Sequence, residues 1–193
     1  MSTSVYYFGG YNASQKDIDA WLASAKQQAP NMDFLGFPWP KDTPSYPEDD
    51  VVQGSKNAGL FKFALDTSKE CSADADKIYL LGHSSGCAIA NAVDRELKKT
   101  NVVLVALDGY APKDDQLKRT STQVWGAECE GKTSKNYPGP SQGRRQIYHA
   151  TNCKKLWALH FSVVNANATD DTVHGIPTGY FNCKANMRWL SPK

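Results

Sequence analysis

Gly82-His83-Ser84-Ser85-Gly86 sets a serine between two glycines, with the apolar run "KIYLL" before it and the small-residue run "CAIANAV" after it. A serine hydroxyl is a poor nucleophile at neutral pH. It attacks a carbonyl only when a base takes its proton and an acid orients that base. The chain carries both residue types. Its histidines are His83, His149, His160 and His174. Asp108 ends "NVVLVALDGY", Glu128 follows an apolar run in "VWGAECEG", and Asp170 and Asp171 stand close to His174 in "TDDTVHGIP". Two plainer readings compete: a glycine-rich turn without chemistry, and a phosphate-cradling loop. The chain has no GxGxxG and no Gly-Lys-Ser/Thr ending, which speaks against the phosphate loop.

The elements that must hold these residues follow from periodicity. Short apolar runs alternate with helical patterns, the signature of a parallel sheet covered by helices. "SVYYFGG" reads as a strand ending in two glycines. In the next segment Ser14 is placed to cap a helix, with Asp17 three residues on, close to a capping box. Ile18, Trp21, Leu22, Ala25 and Ala29 then share one helical face, and Pro30 ends it. "MDFLGF" is a second strand. "NAGLFKFALDTSKE" has Ala58, Phe61 and Leu65 at helical spacing. "KIYLLG" is a third strand, followed by a helix lined by Ile89, Ala92, Val93 and Leu97. "NVVLVAL" is nearly continuous in β-branched residues, as a strand buried on both faces should be. "TQVWG" and "KLWALHFSVV" bring the total to about six strands, and Tyr180, Met187 and Leu190 mark a closing helix. "FPWPKDTPSYPEDD" and "GAECEGKTSKNYPGPSQG" read as loops after strand ends, where ligands bind in open α/β sheets.

The 193 residues suit one domain, 1–193, with one core. A formal charge of +2, with Lys and Arg scattered among acids, gives no case for nucleic acid. No apolar run is long enough to span a bilayer. "MSTSVYYFGG" lacks the form of a secretory signal, so the expectation is a cytoplasmic protein, with export of a longer form left open. The five cysteines, Cys71, Cys87, Cys129, Cys153 and Cys183, show no zinc-ligand spacing and are expected to be mostly free buried thiols. One disulfide among Cys129, Cys153 and Cys183 stays open for an exported protein. Neither a metal nor any other cofactor is implied, and the oligomeric state is not legible. Asn12-Ala13-Ser14 and Asn167-Ala168-Thr169 fit the glycosylation pattern but carry little meaning without a signal.

Strand, sharp turn and small-residue helix around "GHSSG" make the chain resemble the α/β-hydrolase superfamily, whose nucleophile elbow it matches residue by residue. The resemblance implies a compact α/β-hydrolase fold, a mostly parallel sheet with helices on both faces. It implies Ser84 as nucleophile, with Gly82 and Gly86 glycine because side chains there would collide with neighbouring backbone. The superfamily order of serine, acid, histidine excludes His83 and places the base at His174, after the last expected strand. Asp108, at the end of the strand after the elbow strand, is the preferred acid, as in thioesterase-like members. Glu128 holds the more usual position, and Asp170 or Asp171 is the third choice. Asp108 also fits a plain Asp-Gly turn. The superfamily takes one oxyanion donor from the residue after the nucleophile, here the Ser85 N–H. The second is expected from Gly10 or Tyr11 in "YYFGGYN", where the glycine pair departs from the His-Gly-Gly-Gly form. Set against the superfamily, the sheet is expected to lack the two strands that usually precede "SVYYFGG", and no insert after Asp108 is expected to form a helical lid.

The expected activity is therefore a serine hydrolase acting on a small-molecule acyl ester or thioester. Trp39, Tyr46 and Tyr137 would line a small, open site favouring an acyl or aromatic group. The alternative is a non-catalytic binding module on the same scaffold.

Overall fold

In a computed structural model of the protein, the residues described are 3–70, 77–107, 109–111, 123–127, 145–146 and 153–155. Strand β1 (Thr3–Phe8) leads into helix α1 (Gln15–Gln28), β2 (Asp33–Phe37), α2 (Glu48–Asn57) and α3 (Leu60–Glu70). Strand β3 (Lys77–His83), α4 (Gly86–Leu97) and β4 (Val102–Leu107) follow. Short strands β5 (Tyr110–Ala111), β6 (Gln123–Ala127), β7 (Arg145–Gln146) and β8 (Cys153–Lys155) complete the described elements. The main sheet runs β2-β1-β3-β4-β6-β8, and all of its pairings are parallel. This is the expected α/β class, a parallel sheet of six strands.

The period-2 alternation of β1, β3 and β4 divides the core between the two faces. Val5, Tyr7, Tyr79, Leu81, Val103, Val105 and Leu107 pack with Ile18, Trp21 and Ala25 of α1. Tyr6, Phe8, Ile78, Leu80, Val102, Leu104 and Ala106 pack on the other face with residues of α2, α3 and α4. Helices thus cover both faces. Val102–Leu107 is buried at every position, so its continuous apolar run is physically required. Tyr7 stacks on Trp21 with ring centroids 3.8 Å apart, which fixes α1 over β1.

Helix α1 starts where the sequence expects it. The Ser14 hydroxyl accepts from the Asp17 N–H at 3.3 Å, and the Asp17 carboxylate accepts from the Ser14 N–H at 2.8 Å. The carboxylate also accepts from the Ser14 hydroxyl at 2.7 Å, the chief reason the Asp17 carboxyl titrates below its ordinary range. Ser14→Ala is expected to lower stability by about 1 kcal/mol, measured by denaturant unfolding at neutral pH. A depressed folded pKa adds stability above the unfolded carboxylate range and loses it as pH falls through the folded value. The difference between wild type and Ser14→Ala should therefore shrink below pH 3.8, the ordinary aspartate value. An unchanged difference in acid would show that the carboxylate bond contributes nothing.

Two expectations need correction. The end of the proline-rich segment is not loop: Glu48–Asn57 is helix α2, which buries only Val51 and Ser55. Ala58 does not belong to α3 but caps the C-terminus of α2. The paired part of the last expected strand is Cys153–Lys155, at the start of "KLWALHFSVV" and before it; the rest of that run and the closing helix lie outside the described residues. The short antiparallel β5–β7 pair had no sequence signal.

Chain order and sheet order together locate the site. From β1 the chain goes to the sheet edge at β2, then returns to β3 on the other side of β1. That reversal leaves a crevice between the carboxyl ends of β1 and β3, where ligands bind in open α/β sheets. Gly9 and Gly10 follow β1 there, and Ser84 follows β3.

Candidate active site

Ser84 joins β3 to α4 with φ at +52°, the left-handed region that a non-glycine residue enters at a cost of about 1–2 kcal/mol. Its N–H donates to the Leu107 carbonyl at 3.0 Å, and its carbonyl accepts from the Cys87 N–H at 3.1 Å. The first bond ties the turn to the end of β4, where Leu107 pairs with His83; the second begins α4. Ser84 is 8% exposed and Ser85 5%. Both serines are therefore buried at the end of β3.

The flanking glycines carry the expected steric role. A Cβ on Gly82 would stand 2.3 Å from Cys87 Cα and 2.5 Å from its nitrogen. One on Gly86 would stand 2.4 Å from the Phe8 carbonyl oxygen and 2.5 Å from that of Gly9. The turn is therefore pressed against the end of β1. Ala88 and Ala90 are buried behind it, as the small-residue run requires. The N-terminus of α4 opens directly after Ser84 and Ser85, so its dipole favours negative charge developing there.

Gly10 reaches the serine from the other side. A Cβ there would meet His83 Nδ1 at 2.8 Å and Ser84 Cβ at 3.0 Å. The close backbone approach expected of "YYFGG" is present, and Gly10 is buried. Tyr11 follows it and is 54% exposed. The structure thus brings together Ser84, Ser85, Gly10 and Tyr11. Asp108, Glu128, Tyr137, Asp170, Asp171 and His174 lie outside the described residues. Gly109, on the far side of Asp108, is packed against Cys87, where an added Cβ would lie 1.9 Å from Sγ. The Cys87 thiol is buried and donates to the Gly82 carbonyl. Among the described residues no group of three or more His, Cys, Asp or Glu could hold a metal ion.

One contact had no sequence signal. The Ser85 hydroxyl donates to the Ser45 carbonyl at 3.0 Å, joining the turn to the loop between β2 and α2. The same loop is tied twice through Trp39: its N–H donates to the Ala13 carbonyl at 2.9 Å, and its indole N–H to the Thr43 carbonyl at 3.0 Å. The Trp39 ring meets Tyr11 edge-on, with centroids 5.7 Å apart. Trp39 therefore stands against Tyr11, on the loop that the Ser85 hydroxyl joins to the turn. Tyr46, next to Ser45 and 37% exposed, lies on the same loop.

No protein-family model matches the chain, and neither does any curated protein. Some solved structures are distantly similar to it. An acetylxylan esterase is 12% identical with a TM-score of 0.49, covering 98% of this chain and 97% of its own. The ydeN gene product of B. subtilis is 14% identical with a TM-score of 0.49, covering 93% of this chain and 99% of its own. An extracellular α/β-hydrolase from a Paenibacillus species is 18% identical with a TM-score of 0.39 over 59% of this chain. This chain spans 43% of that protein's length. No helix among the described residues is long and apolar enough to cross a membrane.

Proposed function

We propose that the chain is a serine hydrolase that cleaves an ester or thioester of a small molecule through an acyl-enzyme on Ser84. The observation that carries this reading is the backbone of Ser84: a non-glycine residue at φ +52°, at the sheet's carboxyl edge, held between glycines that admit no side chain. In a turn without chemistry, glycine would adopt that conformation without strain.

In the proposed reaction Ser84 Oγ attacks the acyl carbonyl while His174 takes the hydroxyl proton. The N–H of Ser85 and that of Gly10 or Tyr11 stabilise the oxyanion, helped by the α4 dipole. The tetrahedral species collapses, the bond from carbonyl carbon to the leaving oxygen or sulfur breaks, and His174 returns the proton to the leaving group. Water, deprotonated by His174, then attacks the acyl-enzyme and releases the acid. Asp108 orients His174 and offsets its charge. His174 is supported by its place after the last expected strand, and Asp108 by its place immediately after Leu107, which pairs with His83.

A fluorophosphonate probe is expected to label the folded protein at Ser84, read by mass spectrometry of the modified peptide. His174→Ala should slow labelling roughly a hundredfold or more. Asp108→Asn should slow it more than Glu128→Gln. Folded protein that stays unlabelled while hydrolysing no ester or thioester would overturn the proposal and favour a binding module.

A further inference from the structure

We infer that Tyr11 and Trp39 form an aromatic subsite beside Ser84 that receives a planar aryl group of the ester. The inference deepens the hydrolase reading and rests on it for the position of the scissile bond. Tyr11 directly follows Gly10, whose α-carbon faces Ser84 closely enough that a Cβ would lie 3.0 Å from the serine Cβ. In the proposed arrangement the Tyr11 ring, one residue along the loop and set against Trp39, receives the group attached to the acyl carbonyl.

Among the described residues that ring is one of few large hydrophobic side chains left exposed. Tyr6, Tyr7 and Tyr79 are buried, whereas Tyr11 is 54% exposed. Among the described residues the exposed large hydrophobics are Tyr11, Tyr46 and Phe63. Tyr11 and Tyr46 stand on loops that touch the serine turn through Gly10 and Ser45. Phe63, on α3, lies edge-on to Phe37 of β2.

Trp39 completes the surface, and its partners hold it still. Its indole N–H is satisfied by Thr43, so what the ring offers a ligand is apolar surface. Its backbone is tied to Ala13, and its loop is fixed to the turn by the bond from Ser85 to Ser45. Thr43 is buried against Gly54 of α2, where an added Cβ would lie 2.4 Å from Thr43 Oγ1. A wall so anchored loses little freedom when a ligand arrives. Its two rings already meet edge-to-face, and a third ring can join by stacking or edge contact, geometries that aromatic groups prefer. An alkyl chain gains buried area there but not the ring–ring term.

The test separates the subsite from the chemistry. Binding of phenyl butyrate and of butyl butyrate to Ser84→Ala is measured by calorimetry, which requires no turnover. Ser84→Ala is expected to bind the phenyl ester several-fold to about tenfold more tightly. Tyr11→Leu, introduced into the same protein, should reduce the preference to within twofold, and Tyr11→Phe should keep it. Trp39→Leu should act like Tyr11→Leu; should it fail to fold, the exposed Tyr11 pair still decides. Equal binding of both esters, binding of neither, or a preference that survives Tyr11→Leu would overturn the subsite. Aryl preference in a protein whose wild type hydrolyses neither ester would uphold the subsite and overturn the nucleophile. Hydrolysis of both esters with equal kcat/KM, unaffected by Tyr11→Leu, would do the reverse.

Discussion

Replacing Ser84 with glycine is expected to give a protein more stable than its Ser84→Ala counterpart, with both inactive. At φ +52° the Cβ of serine or alanine crowds the backbone, at about 1–2 kcal/mol. Glycine removes that crowding but loses more chain entropy on folding, about 0.5–1 kcal/mol. A net gain of about 1 kcal/mol is left, or roughly 2–4 °C in Tm for a chain of this length. Comparing glycine with alanine cancels the loss of the hydroxyl and of whatever it bonds, so only the backbone term differs. Activity follows the other atom. Both variants lack Oγ, and ester turnover should fall roughly 10⁴- to 10⁶-fold. Thermal unfolding and ester hydrolysis read the two effects separately. Ser84→Ala retaining turnover within tenfold of wild type would remove Ser84 from the chemistry. Equal stability of the two variants would show that the turn is not strained.

What the sequence reveals depends on whether the determining contact is local. Helix α1 is legible because Ser14 and Asp17 satisfy the first N–H groups within three residues, and its buried residues recur at helical spacing. Strand β4 is legible because burial on both faces leaves no polar position in Val102–Leu107. The turn at Ser84 is legible because Gly82 and Gly86 need no side chain for reasons set within the same short segment and by the end of β1. Helix α2 is different. It starts behind Pro47 with Glu48, Asp49 and Asp50, buries only two residues, and carries Gly54 in its interior. That glycine follows from contact with Thr43 across the loop, which no periodicity reports. Pro47 and the acidic first turn were the available start signal, because a helix N-terminus favours negative charge. The bond from Ser85 to Ser45 is illegible for a deeper reason. Its acceptor is a backbone carbonyl, which any residue at position 45 would present.

The glycine that opens α4 should be the least replaceable residue of the turn outside the chemistry itself. An added Cβ at Gly86 lies 2.4 Å from the Phe8 oxygen and 2.5 Å from the Gly9 oxygen, both backbone atoms of β1 and its following loop. No rotamer relieves such a contact; the helix or the strand must move. β1 is held by β2 on one side and β3 on the other, so displacing it strains both pairings. Gly86→Ala is expected to lower stability by about 3 kcal/mol, the upper end of ordinary overpacking. The corresponding fall in Tm is roughly 6–12 °C. Gly59→Ala provides the contrast. Gly59 has φ +74° and nothing within 4 Å of an added Cβ, so only backbone conformation opposes alanine, at about 1 kcal/mol. The two variants should also differ in function. Pushing on the Gly9 carbonyl moves Gly10 away from Ser84, so folded Gly86→Ala should react with fluorophosphonate much more slowly than wild type. Gly59→Ala, at the junction of α2 and α3, should react at the wild-type rate. Were Gly86→Ala to unfold no earlier than Gly59→Ala, or to react as fast, close packing of the turn on β1 would not be what holds Ser84 in place.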